Sequence, residues 1–593
     1  MPFTFPIDNP HPAMQDVRRC QLCGRLEGMD GMRSRSLALA FLLLATLVPA
    51  LGFVTRATSR QSTATNRGRH TPFLAGLGNY SRKVTTDAAV AQRYFDQGLA
   101  FLYGFNHDAA LWSFREAASA DPNCAMAFWG VAAALGPDIN NPEILPGDME
   151  IAKTAVATAR DVSAKATAVE KGLIEAIDKR YSVNGSDDAL KCERNYATAL
   201  LDLAKRFPGD PDVGALGAEA LMIVQCKTSL KEKRTLEPKN EIATILERIL
   251  KNCPDHPFAL HLWIHAMDHL RQPERARSES DRLRQFAPGI GHLMHMPSHA
   301  DIRLGRWQDA VLANERAVAA DHVFRRALPE RGSHAGYMAH NEQMLVYAAM
   351  MQGQSRTASR AAEAALGLIP EWEAKADPGT FDVFKSVPYE IRMRFGQWDA
   401  ILADPEPGFS FPFSRAFRHF ARGIAFAAKK KVPEAKAAQR EFLTARKDVP
   451  KSQLFRFHRT VPLLEIAEKM LAGEILYREG RVAEGITALQ SAVACEDKLE
   501  YSDPPLWMQP VRHALGATLM DAGRYTEAEA VYREDLKHNL ENGWSLYGLF
   551  RSLEMQNKKG EAALVRSRFK KAWQYADFKM TSSCSCLPIS ANK

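Results

Sequence analysis

Ten of the 17 histidines in this 593-residue chain fall between His256 and His340. Neutral imidazole is a strong ligand for Zn, Cu and Fe, and two histidines one helical turn apart can chelate a single ion. The stretch ALHLWIHAMDHL places His261, His265 and His269 at four-residue steps, and HLMHMPSHADIR carries His292, His295 and His299. At 100° per residue the first set spans about 80° of a helix face and the second about 60°. Two such helices side by side would supply four nitrogens or more. The candidate ligands for a transition metal (Zn, Cu or Fe) are therefore His261, His265, His269, His292, His295, His299 and His340. Asp268 and Arg303 belong to the same stripes. Asn341 and Glu342 adjoin His340, and these four residues are expected to orient ligands or line the binding groove. No catalytic residue stands out. H-E-x-x-H is absent, and Ser298, beside His299, has no oxyanion signature around it.

The spacing gives the histidines a common register. Ala276 and Ala310, each a small residue inside a second helix, lie 34 apart. His261 and His265 precede Ala276 by 15 and 11 residues, and His295 and His299 precede Ala310 by the same offsets. His292 is 18 before Ala310, and His340 is 18 before Ala358, across a repeat lengthened by 14 residues that include His322 and His334. The 15 and 11 offsets give Phe95 and Leu99 before Ala110, and Phe420 and Ile424 before Ala435, so imidazoles are not a general requirement of stacking. Pro297 falls inside the expected first helix, where it removes a backbone hydrogen bond and should bend the chain beside the histidines.

The elements that must hold these residues are helical hairpins. From Tyr94 onward the apolar period is helical, with Gly or Pro at intervals and few alternating stretches. The first hairpin carries Gly98, Phe101, Ala110, Phe114 and Ala117, closed by Pro122. Later units carry Gly423 and Ala435; Gly473, Gly480, Leu489 and Ala492; and Gly516, Gly523, Ala528 and Tyr532, followed by Trp544, Tyr547 and Gly548. RFGQWDAILA is a degenerate unit. This small-large-small pattern resembles the tetratricopeptide repeat. The resemblance implies an all-α, right-handed α-α superhelix, with the offsets above facing a concave groove.

The expected divisions are 1–54, an over-extended start with a signal segment; 55–82, a linker; and 83–145, N-terminal repeats. They continue with 146–253, degenerate hairpins; 254–405, His-rich repeats; 406–578, C-terminal repeats; and 579–593, a disordered tail. HMPSH, the Gly305-Arg306-Trp307 turn, the His340-Asn341 pair and the Glu219–Met222 stretch resemble a group of bacterial exported tetratricopeptide proteins defined by sequence rather than by activity.

The run Leu37–Val48, preceded by Arg33 and Arg35 and followed by Ala50-Leu51-Gly52, has the order of a secretory signal. Export to the periplasm or beyond is expected, with membrane attachment only through an uncleaved signal anchor. Translation from Met29 or Met32 would leave Cys20 and Cys23 outside the protein. The net charge of +8 is diffuse, and phosphate-binding glycine loops are absent, so nucleic acid is not an expected partner. Cys192, Cys226 and Cys253 could supply one disulfide, and Cys584-Ser585-Cys586 reads either as an exposed end or as a soft-metal or redox pair. Two functions follow: a scaffold whose groove binds a ligand, peptide or protein and whose histidines coordinate a metal, or a metal-dependent enzyme with its active site there.

Overall fold

The computed structural model describes residues 70–587 except 145, 183–188, 233–239, 330–333, 370, 409–410 and 457. The signal-like run, Cys20 and Cys23 lie outside the described residues. Among those described, no helix is long and apolar enough to cross a membrane.

The chain is a succession of antiparallel helical hairpins, and one turn recurs throughout. Phe105, Arg271, Gly305, Gly353, Gly396, Lys430, Gly480, Gly523 and Asn557 all adopt positive φ at the end of a first helix. In each case the next residue donates its N–H back to the carbonyl five positions earlier, as in Gln272 to Met267 (2.9 Å), Arg306 to Asp301 (2.8 Å) and Gln354 to Ala349 (2.9 Å). This left-handed C-cap satisfies carbonyls that a helix end would otherwise orphan, and it aims the chain into the second helix.

Five residues after each left-handed position comes the contact on the second helix. Ala110, Ala310, Ala358, Ala435 and Ala528 have no exposed surface, and Ala276 and Ala562 almost none. Ile401 fills this place in the degenerate unit, also fully buried. Between hairpins, a large ring seats on two glycines. A Cβ on Gly98 or Gly130 would lie 2.7 or 2.3 Å from Phe114, and one on Gly516 or Gly548 would lie 2.4 or 2.1 Å from Tyr532. The same wedge, at the same spacing, serves both ends of an all-α superhelix. The one sheet among the described residues is a two-stranded hairpin pairing Leu454–Phe455 with His458–Arg459.

The superhelix closes on itself. Trp307 Nε1 donates to the Leu540 carbonyl (2.8 Å), Trp544 Nε1 donates to the Met350 carbonyl (3.1 Å), and the Tyr501 hydroxyl reaches Asp268. These contacts bring segments 500–545 over the central repeats.

Two cysteine and tail expectations are corrected. Cys192, Cys226 and Cys253 are not disulfide-bonded; Cys584 and Cys586 are bonded to each other. The tail expected to be disordered from 579 packs as far as Leu587. Ser583 hydrogen-bonds Tyr532 and the His513 carbonyl, Ser585 Oγ donates to the Arg394 carbonyl, and Cys586 is buried.

Candidate metal centre

Three segments carry the central histidines. Helix Pro257–His269 starts at His256, whose ring accepts a hydrogen bond from the Ala259 N–H (3.1 Å) in place of the usual short capping side chain. The next first helix is interrupted, as Gly291–His295 and Pro297–Arg303, because Pro297 has no N–H to give the preceding turn. His340 comes from helix Ala335–Met351.

Six of the seven predicted ligands form two trios. Ligating atoms of His261, His265 and His292 all lie within 4.8 Å of one another, and so do those of His295, His299 and His340. The trios adjoin: ring centroids are 5.6 Å apart for His292–His295 and 6.0 Å for His265–His299. His269 belongs to neither trio. It sits half-buried at the end of its helix, where burial and the nearby His299 lower its pKa to about 4.

The outer nitrogens are committed, and this fixes what the inner ones can do. His261 Nδ1 donates to the Tyr103 carbonyl (2.8 Å). His295 Nδ1 faces Asn314 Oδ1 at 2.7 Å, and Asn314 is held in that orientation because its amide NH2 donates to the Ala310 carbonyl (2.8 Å). His299 Nδ1 faces Asp503 Oδ2 at 3.1 Å. With each Nδ1 acting as donor, each Nε2 presents a lone pair inward. His295 Nε2 and His299 Nε2 meet at 2.9 Å, and His261 Nε2 meets His265 Nε2 at 3.2 Å. Both nitrogens of His292 and Nδ1 of His340 are buried without a hydrogen-bond partner.

Two lone pairs facing at hydrogen-bond distance need a positive charge between them, supplied by a proton or a metal ion. Burial disfavours that proton on His295. It lowers His261 to about 3 against the helping Tyr103 carbonyl, and, reinforced by neighbouring imidazoles, carries His265, His292 and His295 well below the ordinary value. His340 is lowered in the same way, with the Arg456 guanidinium the next contributor.

The surroundings are half apolar and half charged. Phe105 stacks on His292 (5.5 Å) and Tyr337 meets the same ring edge-on (4.8 Å). On the other side, Asp503 accepts from Arg303 (2.8 Å) and from Tyr501 (2.7 Å), while Tyr501 also contacts Asp268 and lies under the Arg303 guanidinium. Burial opposes the Asp503 charge, but Arg303 and the His299 hydrogen bond overcome it and hold the group near 2. Asp268 moves the opposite way, raised by burial and by Asp503. The Tyr501 hydroxyl therefore sits between two carboxyls whose proton affinities are pushed apart.

Asp268 and Arg303 adjoin the histidines, Asp268 beside His299 and Arg303 through Asp503. Asn341 and Glu342 do not: Asn341 Nδ2 donates to Asp321 Oδ2 (2.8 Å), and Glu342 belongs to neither trio, its carboxyl raised to about 7 by burial. An offset of one or two residues from His340 turns a helical side chain 100–200° away, onto another face. The site also differs from an open groove wall, because five of the six imidazoles are buried and His265 is half-buried. Asn314, Asp503, Tyr501, Tyr337 and Phe105 were missed. Only Asn314, four residues after Ala310, shares a readable register with the histidines.

Fold and site together define an all-α repeat protein with a buried centre of six imidazoles. No protein-family model matches the chain, and no curated protein matches it. Solved structures similar to it include the human IFIT1 dimer with m7Gppp-AAAA, at 12% sequence identity over 82% of this chain and 91% of that one, with a TM-score of 0.30. Another is the APC/C hetero-tetramer Cut9-Hcn1, at 12% identity over 82% and 94%, with a TM-score of 0.26. Yeast Tom70 is a third, at 10% identity over 81% and 90%, with a TM-score of 0.25. At these values the likeness transfers no ligand or activity.

Proposed function

We infer that this protein binds a transition metal in its central repeats, through the trios His261/His265/His292 and His295/His299/His340. The observation that carries the reading is the pair of Nε2 lone pairs of His295 and His299, which face each other while both opposite nitrogens are held as donors. Zinc–imidazole bonds of about 2.0–2.1 Å need only small ring movements from this arrangement. Carboxylate and amide partners on Nδ1 are the usual outer support of metal-binding histidines, since they fix the tautomer and raise ligand basicity. An all-nitrogen set suits Zn, Cu or Fe and disfavours Ca or Mg.

The N-terminal apolar run and the HMPSH resemblance support an exported protein, tested by sequencing the N-terminus of mature protein from the native host. The rest of the superhelix surface offers room for a peptide or protein partner, the common use of such arrays. A catalytic version of the metal reading is favoured by one observation, the Asp268–Tyr501–Asp503 set against His299, which could hold or pass a proton beside a bound ion.

Elemental analysis of protein purified without chelators, followed by metal titration of chelator-treated protein, tests the main reading. Stoichiometric Zn, Cu or Fe, with the share held by the second trio lost in H295A/H299A, supports it. Protein that neither carries nor takes up metal refutes it.

A further inference from the structure

A second set of ligating atoms gathers in the C-terminal repeats, on residues the histidine centre does not use. Glu474, on helix Val461–Arg478, is fully buried, and neither carboxylate oxygen has a hydrogen-bond partner. One of these oxygens and the sulfurs of Cys584 and Cys586 all lie within 4.8 Å of one another. Arg478, one turn along the same helix, donates to the Cys586 carbonyl and reaches the carboxylate only through space, without a hydrogen bond. Cys584 and Cys586 line a cavity with Met393, Met470, Trp507 and Glu390 among others.

A disulfide alone gives no reason for an unpartnered buried carboxylate aimed at it. A buried acid without a donor needs a proton or a cation. Once the sulfur–sulfur bond is opened, two thiolates and one carboxylate converge on one point, three anionic ligands of which the Arg478 guanidinium can offset at most one charge. Soft thiolates select Zn, Cd or Cu(I), unlike the imidazoles of the central repeats.

We propose that Cys584, Cys586 and Glu474 form a soft-metal site whose closed state is the Cys584–Cys586 disulfide and whose open state is made by thiol reduction. In the first step a thiolate from an external thiol attacks the Cys584 sulfur, the more exposed of the two. The sulfur–sulfur bond breaks, and Cys586 leaves as a thiolate that takes up a proton. A second external thiol resolves the mixed disulfide. Two external thiols are thereby oxidised to one disulfide, and the protein gains two thiols. A divalent ion then displaces both thiol protons and accepts the Glu474 carboxylate as third ligand.

The test uses the full chain, reduced with a phosphine, freed of reductant, and titrated with CdCl2 while thiolate-to-cadmium charge transfer is followed in the ultraviolet. Cys124, Cys192, Cys226, Cys253 and Cys495 are also thiols, so alkylation with N-ethylmaleimide and peptide mass spectrometry locates the metal. The expected result is a band of one equivalent that requires prior reduction, with Cys584 and Cys586 protected from alkylation by Cd2+. E474Q should retain the band with affinity at least tenfold weaker. Alkylation of both cysteines at the same rate with and without Cd2+ would overturn the proposal, and this measurement needs no variant to fold. Unchanged Cd2+ affinity in E474Q would overturn the role of the carboxylate. Either outcome leaves the histidine centre untouched, since its nitrogens give no thiolate band.

Discussion

His295 Nε2 and His299 Nε2 lie 2.9 Å apart, one helical turn from each other across the interruption at Met296. Each ring is held from behind, by Asn314 and by Asp503, so neither can turn to offer a proton without losing a buried hydrogen bond.

Replacing Asp503 by Asn should weaken metal binding roughly ten- to a hundredfold while leaving all six imidazoles in place. His299 Nδ1 would lose a charged acceptor, and Arg303 would lose its closest carboxylate. Competition titration against a chelator of known affinity checks this, with helix content followed by circular dichroism. Unaltered affinity in folded D503N would remove Asp503 from the site.

The double change H295A/H299A should abolish uptake at the second trio with little loss of helix. The metal-free variant should be destabilised less than a buried polar deletion normally is, because one unfavourable contact goes with it. Metal content and thermal unfolding of the metal-free proteins measure the two halves. Collapse of the fold on substitution would mean that the imidazoles serve packing.

A pH effect is expected far from this centre. Glu390 is buried, and burial raises its carboxyl to about 8 against the helping Met508 N–H, so the folded protein keeps a proton there that the unfolded chain releases above about pH 4.5. A raised carboxyl contributes stability that is full at low pH and is lost as pH rises through about 8. Between about pH 5 and 8, E390Q should therefore lose stability less steeply than the parent, by about 1.4 kcal/mol per pH unit. Denaturant titrations at several pH values test the slope, and parallel curves would contradict the assignment.

The turn geometry makes a separate prediction. Gly305 and Gly523 share φ near +70°, at 69° and 74°, but a Cβ at Gly305 would meet the Leu540 carbonyl oxygen at 2.6 Å, whereas Gly523 has nothing within 4 Å. G523A should cost about 1 kcal/mol, the penalty for the left-handed conformation alone. G305A should cost clearly more, because it also pushes the C-terminal repeats off the central ones. Equal losses in thermal melts would argue that the closure at Leu540 is weak.

The repeat register was legible because it rests on local chemistry. Small residues at Ala110, Ala276, Ala310 and Ala358 mark helix crossings, and the offset from them placed His261, His265, His292, His295, His299 and His340 together. The left-handed turn was harder to see where Phe105, Arg271, Lys430 and Asn557 replace glycine, since the tertiary fold enforces a conformation those side chains disfavour. Tyr501 and Asp503 were invisible for a different reason. They reach the histidines only because the superhelix closes, and the 200 residues separating Arg303 from Asp503 carry no periodic signal of that contact. His269 shows the limit of helical wheels: it shares the stripe but lies one turn beyond the place where the two helices meet.

The most direct measurement is an anomalous difference map, collected at the absorption edge of the metal found by elemental analysis, from crystals of the metal-loaded protein. The account predicts a peak between His295 Nε2 and His299 Nε2, within about 2.0–2.2 Å of both and of His340. A map with no peak there, and an ordered proton-sharing contact between the two rings instead, would contradict it.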